Sequence, residues 1–573
     1  VRRAVALAGV TALAVMGTGV ALPGIGAAAA AAAPAEESAS QASASQASAS
    51  QESASQASAS QASASQASAS QAFASPDQRP DLSRYYTQKI KWGDCEGEGA
   101  GLVSEEPSPS ASEDDDVQCG KITVPLDYAQ PKRGKVDLAM VRIKSSGEKR
   151  GSLLLNFGGP GGAGVSGLLA SQKEFAYLGK GYDVVSFDPR GVGESSPVTC
   201  GDAGAEDPTE APEGEETDDP GAVLDEIKKI SDRCAKESGP VLPYVGTINV
   251  SRDMDVMRQA LGDKKLNYLG FSYGTRLGAV YATQFPKKVG RMVLDGVDTL
   301  TEPVAEQALV SAEGRQTALD NFLNWCTDNA GCVFGRDSRA AREHMAQLIR
   351  GLDRYPLQST TGEEFTGQDV VDVLGQALYS RQSWPALSQA LGALLADGDP
   401  RALIRMSGAM AQQRPGLKGL TEDIPPDNMA AALMAVNCAD DPDRPDADSI
   451  EKEVGKLQQE FASTSAIFGK SMLMPVLFCF GRPAGTDYIR DEVRDVKSPD
   501  FLLVGTRGDP ATPYSWTQET AERLGSAAVV LDNKGDGHTG YAGSKCVREK
   551  VDGFLLYGEM PRNGSSCGAD EED

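Results

Sequence analysis

Histidine is nearly absent from this chain: its 573 residues contain two, His344 and His538. None of its ten cysteines forms a C-x-x-C pair. Together these shortages argue against the usual zinc ligand sets, and no metal or organic cofactor is expected. They also leave only two candidate imidazole bases for any acid–base chemistry. Positive charge is scarce too. Lys and Arg total 55 against 81 Asp and Glu, for a net charge of −26. That balance speaks against nucleic-acid or anionic-membrane partners, which require a basic face.

Large apolar residues are almost missing from one long stretch of the chain. From Ser38 to about Gln71 the unit S-A-S-Q-A repeats. Such a segment cannot bury a core and reads as a spacer. Residues 1–35 before it resemble an export signal. Arg2 and Arg3 open it, Ala4–Leu22 is apolar, and Ala27–Ala33 offers small-residue cleavage sites. An uncleaved anchor is the alternative, because the apolar run nearly spans a membrane. Cleavage is the expectation, with no stable membrane association afterwards and a secreted, extracellular or wall-associated product. In that oxidising setting the cysteines read as disulfides. Pairing neighbours is the simplest scheme: Cys95–Cys119, Cys200–Cys234, Cys326–Cys332, Cys438–Cys479 and Cys546–Cys567. One or two buried free thiols are the alternative.

What is present centres on Gly270-Phe271-Ser272-Tyr273-Gly274, a G-x-S-x-G pattern. A short apolar run, Leu266–Leu269, precedes it, and a small-residue, helix-like run from Thr275 to Ala282 follows. Strand, sharp turn and helix are the context of a nucleophile elbow, which holds Ser272 Oγ above a sheet. The turn also aims the Tyr273 N–H and the helix N-terminus at any oxyanion formed there.

Further strands are expected over Ile122–Leu126, Val136–Ile143, Gly151–Asn156, Tyr182–Phe187, Val289–Leu294, Phe501–Gly505 and Ala528–Leu531. The third runs into Phe157-Gly158-Gly159-Pro160-Gly161-Gly162-Ala163-Gly164, where a ligand can approach backbone N–H groups closely. Asp188 and Arg190 are expected to lock a structural turn. Between 301 and 478 the pattern becomes helical, as in Pro303–Cys326, Ser338–Leu352 and Ser388–Ala396. The organisation is therefore signal 1–35, spacer 36–76, α/β core 77–300, helical cap 301–478 and returning core 479–573. The fold class is α/β, with a mostly parallel sheet flanked by helices and a large helical insertion before the last core strands.

A serine nucleophile needs a base and a group to orient that base. His344 lies on a charged helix face. His538 lies in a glycine-rich loop directly after a strand, where it can reach the end of a sheet. Asp509, just past the Phe501 strand, is the leading orienting acid. Asp295 and Asp298 are its rivals, and Asp536 reads as a loop residue. The chain order Ser272, Asp509, His538 is that of the α/β-hydrolases.

The blocks F-G-G-P-G-G-A-G, D-P-R-G-V-G-E-S, G-F-S-Y-G-T-R-L-G, G-D-P-A-T-P and G-D-G-H-T resemble the secreted tripeptidyl aminopeptidases of actinobacteria. More distantly they resemble prolyl iminopeptidases. The likeness covers about residues 80–570. It implies Ser272 as nucleophile, His538 as base, Asp509 as orienter, and Gly159 and Tyr273 as oxyanion donors. Phe157 departs from the iminopeptidase form, where a histidine is common. The stretch Asn437-Cys438-Ala439-Asp440 also looks like the family. The implied activity is release of short peptides, tripeptides above all, from substrates with free N-termini. Such an enzyme needs a carboxylate for the substrate ammonium, and Glu302, Glu306 and Asp440 are candidates. A secreted esterase or lipase with the same triad is the alternative, because one fold serves both chemistries. A wall-associated binding protein with an inert hydrolase fold is a third reading, against which the intact residue set speaks. Composition leaves the oligomeric state open.

Overall fold

The computed structural model describes residues 80–95, 116–201, 220–358, 364–411, 424–444 and 446–569. The expected signal and spacer lie outside them. The main element is a nine-stranded sheet in the order β1-β2-β4-β3-β5-β6-β9-β10-β11. Its strands are β1 (Val117–Pro125), β2 (Lys135–Ile143), β3 (Ser152–Asn156), β4 (Asp183–Phe187), β5 (Leu266–Phe271), β6 (Val289–Asp295), β9 (Phe501–Gly508), β10 (Ala528–Asp536) and β11 (Ser565–Cys567). The β1–β2 and β2–β4 pairs are antiparallel, and every other pair is parallel.

The central strands are short apolar runs because helices cover both faces. Alternation sorts their side chains. Leu154, Val185, Tyr268, Leu294 and Leu503 enter one core. Leu153, Leu155, Val184, Leu269, Val293, Leu502 and Val504 enter the other. Helices α3 (Thr247–Ala260) and α4 (Tyr273–Gln284) cover the first face. Helices α1 (Gly164–Ala170) and α14 (Lys545–Tyr557) cover the second. Helix α2 (Pro220–Glu237) precedes α3.

The chain leaves the sheet after β6 and returns at β9. Besides a short helix at Tyr488–Glu492, the intervening α-helices among the described residues are α5 (Val304–Asp328), α6 (Ser338–Arg354), α7 (Gly367–Ala377), α8 (Trp384–Asp397), α9 (Arg401–Ala411), α10 (Asn428–Asp440), α11 (Ala447–Thr464) and α12 (Gly469–Leu477). A small ribbon, β7 (Leu357–Gln358) with β8 (Glu364–Phe365), interrupts them. Several of these helices share their own apolar core, with Leu319, Phe322, Leu374, Trp384 and Leu387 at its centre. Helix α13 (Tyr514–Leu524) follows β9. Among the described residues no helix is long and apolar enough to cross a membrane.

Five disulfides join Cys95–Cys119, Cys200–Cys234, Cys326–Cys332, Cys438–Cys479 and Cys546–Cys567. The last ties α14 to β11, a three-residue edge strand too short to show a sequence period. Multiple disulfides fit an extracellular protein.

The turn after β4 differs from expectation. Asp188 does hold it, accepting from the N–H of Glu194 and that of Val165, both at 2.9 Å. Arg190 takes no part. It is fully buried and forks onto Asp253 of α3, at 2.7 and 2.6 Å, and onto the Leu126 and Pro125 carbonyls. Sequence spacing pointed to the near acid, but the chain reversal brings the distant one closer. Arg190→Lys keeps the charge and loses the fork. It is expected to lower stability by about 2 kcal/mol, read as a lower urea midpoint at unchanged slope.

Candidate active site

Ser272 stands between β5 and α4 with φ 55° and ψ −126°. Positive φ is costly for a serine and persists only where surroundings enforce it. Here the Ser272 N–H donates to the Asp295 carbonyl at 2.9 Å, and the Ser272 carbonyl accepts from Thr275 N–H at 2.8 Å. The turn is thus bonded on both sides, and its side chain projects from the C-terminal end of the sheet.

The glycine block after β3 lies directly against this turn. Gly158 has φ 88°, and a Cβ there would meet the Phe271 carbonyl at 2.6 Å and Ser272 Cβ at 2.9 Å. Only glycine permits both that backbone and that approach. The same point lies 3.4 Å from the Tyr273 nitrogen. Tyr273 begins α4, so its N–H has no intrahelical acceptor.

Asp509 follows β9 and His538 follows β10, so both reach the same sheet end as Ser272. His538 Nδ1 lies 2.8 Å from Asp509 Oδ1 and 3.0 Å from Oδ2. The carboxylate is buried and heavily bonded. It accepts from Ala511 N–H and Thr512 N–H at 2.8 Å, from Thr539 N–H at 3.1 Å and from Thr512 Oγ1 at 2.9 Å. Burial pulls the His538 pKa down. The Asp509 charge and hydrogen bond, with Asp295 and Asp298 behind, outweigh burial and hold it above the ordinary 6.5.

The rival acids are occupied elsewhere. Asp295 accepts the N–H groups of Gly540 and Tyr541, both at 2.8 Å. Asp298 pairs with Arg276 at 3.0 Å. Asp536 takes the Asn321 amide at 2.8 Å and lies 3.7 Å from Arg381. His344 is exposed on α6.

Thr512 was not singled out in the sequence. Its hydroxyl bonds Asp509 and lies 3.4 Å from His538 Nδ1. A threonine three residues after the aspartate was the available signal, because that spacing closes a side-chain-to-backbone turn. Thr512→Val keeps the shape and removes the donor. An approximately tenfold fall in kcat is expected, with KM little changed, in steady-state assays.

The three carboxylates considered for an ammonium have different surroundings. Asp440 is buried, accepts from Thr247 N–H at 2.9 Å and Thr247 Oγ1 at 2.5 Å, and faces Arg276 at 3.8 Å. Its bonding capacity is spent inside the protein. Glu302 is half-buried and accepts from Trp516 Nε1 at 2.6 Å. Burial raises its pKa to about 7, with Glu519, Glu306 and Asp298 adding to the rise. Glu306, one turn on, is exposed. Among the described residues no group of side chains could hold a metal ion.

A family described as alpha/beta hydrolase fold matches residues 152–415, and one described as TAP-like protein matches residues 464–567. The serine protease Hip1 of Mycobacterium tuberculosis is 32% identical over 502 residues, which is 84% of this chain and 91% of that protein. The tripeptidyl aminopeptidase of Streptomyces lividans is 30% identical, over 79% of this chain and 83% of that one. The chain belongs to the tripeptidyl aminopeptidase family of α/β-hydrolases. It is a serine hydrolase of the peptidase kind. Within the same range, a carboxylesterase B of Mycobacterium tuberculosis is 30% identical over 79% of this chain and 86% of its own.

Proposed function

We propose that this family member is a secreted serine exopeptidase that releases short peptides, tripeptides first, from free N-termini. The observation that carries the reading is His538 held by both oxygens of Asp509 at the sheet end where Ser272 projects. Ser272 attacks the scissile carbonyl while His538 takes its proton. The N–H groups of Gly159 and Tyr273 receive the oxyanion, each contributing about 2–4 kcal/mol to the transition state. His538 then protonates the leaving amine, and water releases the acyl group. Glu302, with Glu306 beside it, is the proposed receptor for the substrate ammonium, because its carboxyl is half-buried among other carboxyls. The helices α5–α12 act as the cap. The expected signal at 1–35 and the five disulfides support secretion.

The esterase reading has one specific support, the carboxylesterase among the relatives. Three substrates separate the two: a tripeptide anilide with a free N-terminus, the same peptide N-acetylated, and a short-chain nitrophenyl ester. Turnover of the free peptide alone, abolished by a fluorophosphonate, is the expected result. Ester cleavage with both peptides untouched would overturn the peptidase reading.

A further inference from the structure

One cation in the helical region is placed against its surroundings. The inward stripe of α5 runs Ala308, Ala312, Leu319, Phe322 and Cys326, all buried. Arg315 occupies the helical position between Ala312 and Leu319, three residues after one and four before the other. An arginine on such a stripe costs desolvation energy unless a partner repays it. Neighbouring cations have carboxylates. Arg342 meets Asp320 at 2.8 Å, and Arg381 meets Asp536 at 3.7 Å. Among the described residues Arg315 forms no salt bridge, and its Nε is buried without a hydrogen-bond partner. Asp372, on the exposed side of α7, feels its charge from a distance. The Arg315 Nη1 packs on α7 at Gly375, where an added Cβ would come within 3.2 Å of it, and Tyr379 follows Gly375 by four residues.

Tyr379 leads to the reacting centre. The Tyr379 ring stands edge-on to His538, with centroids 5.0 Å apart. Its carbonyl accepts the His538 N–H at 2.8 Å, and the residue is 39% exposed. Gly314, next to Arg315, lies against the Asp509 loop: a Cβ there would be 3.1 Å from the Asp509 carbonyl. Arg315 therefore lies at the end of α7 that leads into Tyr379, the residue that contacts His538 and is open to solvent. His538 delivers its proton to the leaving group, so this is the leaving-group side of the cleft.

We propose that Arg315, with Tyr379, forms a carboxylate subsite for the leaving group. A carboxylate there would supply the charge-assisted, two-pronged partner that a guanidinium favours and that the protein itself withholds. The carboxylate is either the α-carboxylate of a single released residue or an acidic side chain at that residue. The peptide form of this proposal rests on the peptidase reading above; the charge preference does not.

The test uses purified full-length protein and matched substrates. Release of the N-terminal tripeptide is followed from X-X-X-Gly with a free C-terminus, from its C-terminal amide, and from X-X-X-Glu-amide and X-X-X-Gln-amide. The first pair reports the α-carboxylate and the second the side chain. A parallel pair, the acetate esters of 4-hydroxybenzoate and 4-hydroxybenzamide, carries the same charge contrast without a peptide bond. The expected wild-type kcat/KM favours the carboxylate member of at least one pair by about tenfold or more. In Arg315→Met, which matches its apolar stripe, that ratio is expected to fall towards one. Arg315→Lys is expected to keep part of it. Active sites are titrated with a fluorophosphonate so that misfolded protein is not counted. A wild-type ratio near one in every pair overturns the proposal without any variant. So does an Arg315→Met that slows charged and neutral members equally, which would make Arg315 a positioning residue for Tyr379. Silence on all peptides with a charge preference on the esters would sink the peptidase reading and leave the subsite standing.

Discussion

Ser272→Ala and Asp509→Asn are each expected to abolish practical turnover, by different routes. In the proposed mechanism no acyl-enzyme forms without the hydroxyl, and kcat is expected to fall by roughly 10⁶. Asp509→Asn leaves the shape intact and inverts the hydrogen bonding. The carboxylate now accepts from four groups besides His538: three N–H groups and the Thr512 hydroxyl. An amide must turn an NH₂ towards one of these donors or towards His538 Nδ1. If it faces Nδ1, it stabilises the tautomer that protonates the nitrogen needed as base. A loss of roughly 10⁴ in kcat is expected. A fluorophosphonate should still label the Asn variant slowly, whereas Ser272→Ala takes no label at all. Equal labelling rates for Asp509→Asn and wild type would remove Asp509 from the orienting role. The rivals Asp295 and Asp298 would then have to be reconsidered.

Asp295→Asn is the second large effect. This residue joins the two halves of the site. Its carbonyl holds the Ser272 N–H, and its carboxylate holds the backbone of Gly540 and Tyr541, just after His538. An amide oxygen can serve one of those N–H groups but turns its own NH₂ at the other. The histidine loop shifts, and misplacement on the scale of an ångström costs about a hundredfold in kcat. Two pH signatures distinguish this from general damage. First, the Asp295 charge contributes to raising the His538 pKa. In the proposed mechanism the active form of His538 is neutral, so activity is expected to fall as pH drops through that raised value. Removing the charge lowers the pKa, and the acidic limb of kcat/KM moves to lower pH. Second, burial raises the Asp295 pKa from 3.8 to about 6. A raised carboxyl stabilises the fold fully below its unfolded value, and that contribution is lost as pH rises to about 6. It amounts to about 3 kcal/mol across this window. Asparagine does not titrate, so urea unfolding between pH 4 and 6 should depend less on pH in the variant. An unmoved acidic limb with simple loss of stability would reduce Asp295 to a structural residue.

The core was legible where one physical demand dominated. Leu153 to Leu155 must be a strand buried on both faces, and G-x-S-x-G between a strand and a helix must be a sharp turn. With two histidines in the chain, elimination and its glycine loop pointed to His538, and the structure sets it against Asp509. The edges were less legible. β11 has three residues and depends on a disulfide and a neighbouring strand rather than on its own propensity. β1 begins at Val117, five residues ahead of the apolar run that announces it, because its first residues pair with β2.

The sequence by itself determined the fold class, the approximate places of the core strands, and the residue types able to act as nucleophile, base and acid. Those follow from local periodicity and from the scarcity of alternatives. Only the tertiary structure decided which acid meets His538. Asp295 and Asp536 end strands while Asp298 and Asp509 follow them, and their roles differ by which donors surround each carboxylate. It also decided that Arg190 answers Asp253 rather than Asp188, that Asp440 is spent on Thr247 and Arg276, and that Arg315 packs on α7 with no salt bridge among the described residues. The reason is the same in each case. A charged side chain takes its role from the partners that desolvate with it, and those partners come from distant parts of the chain.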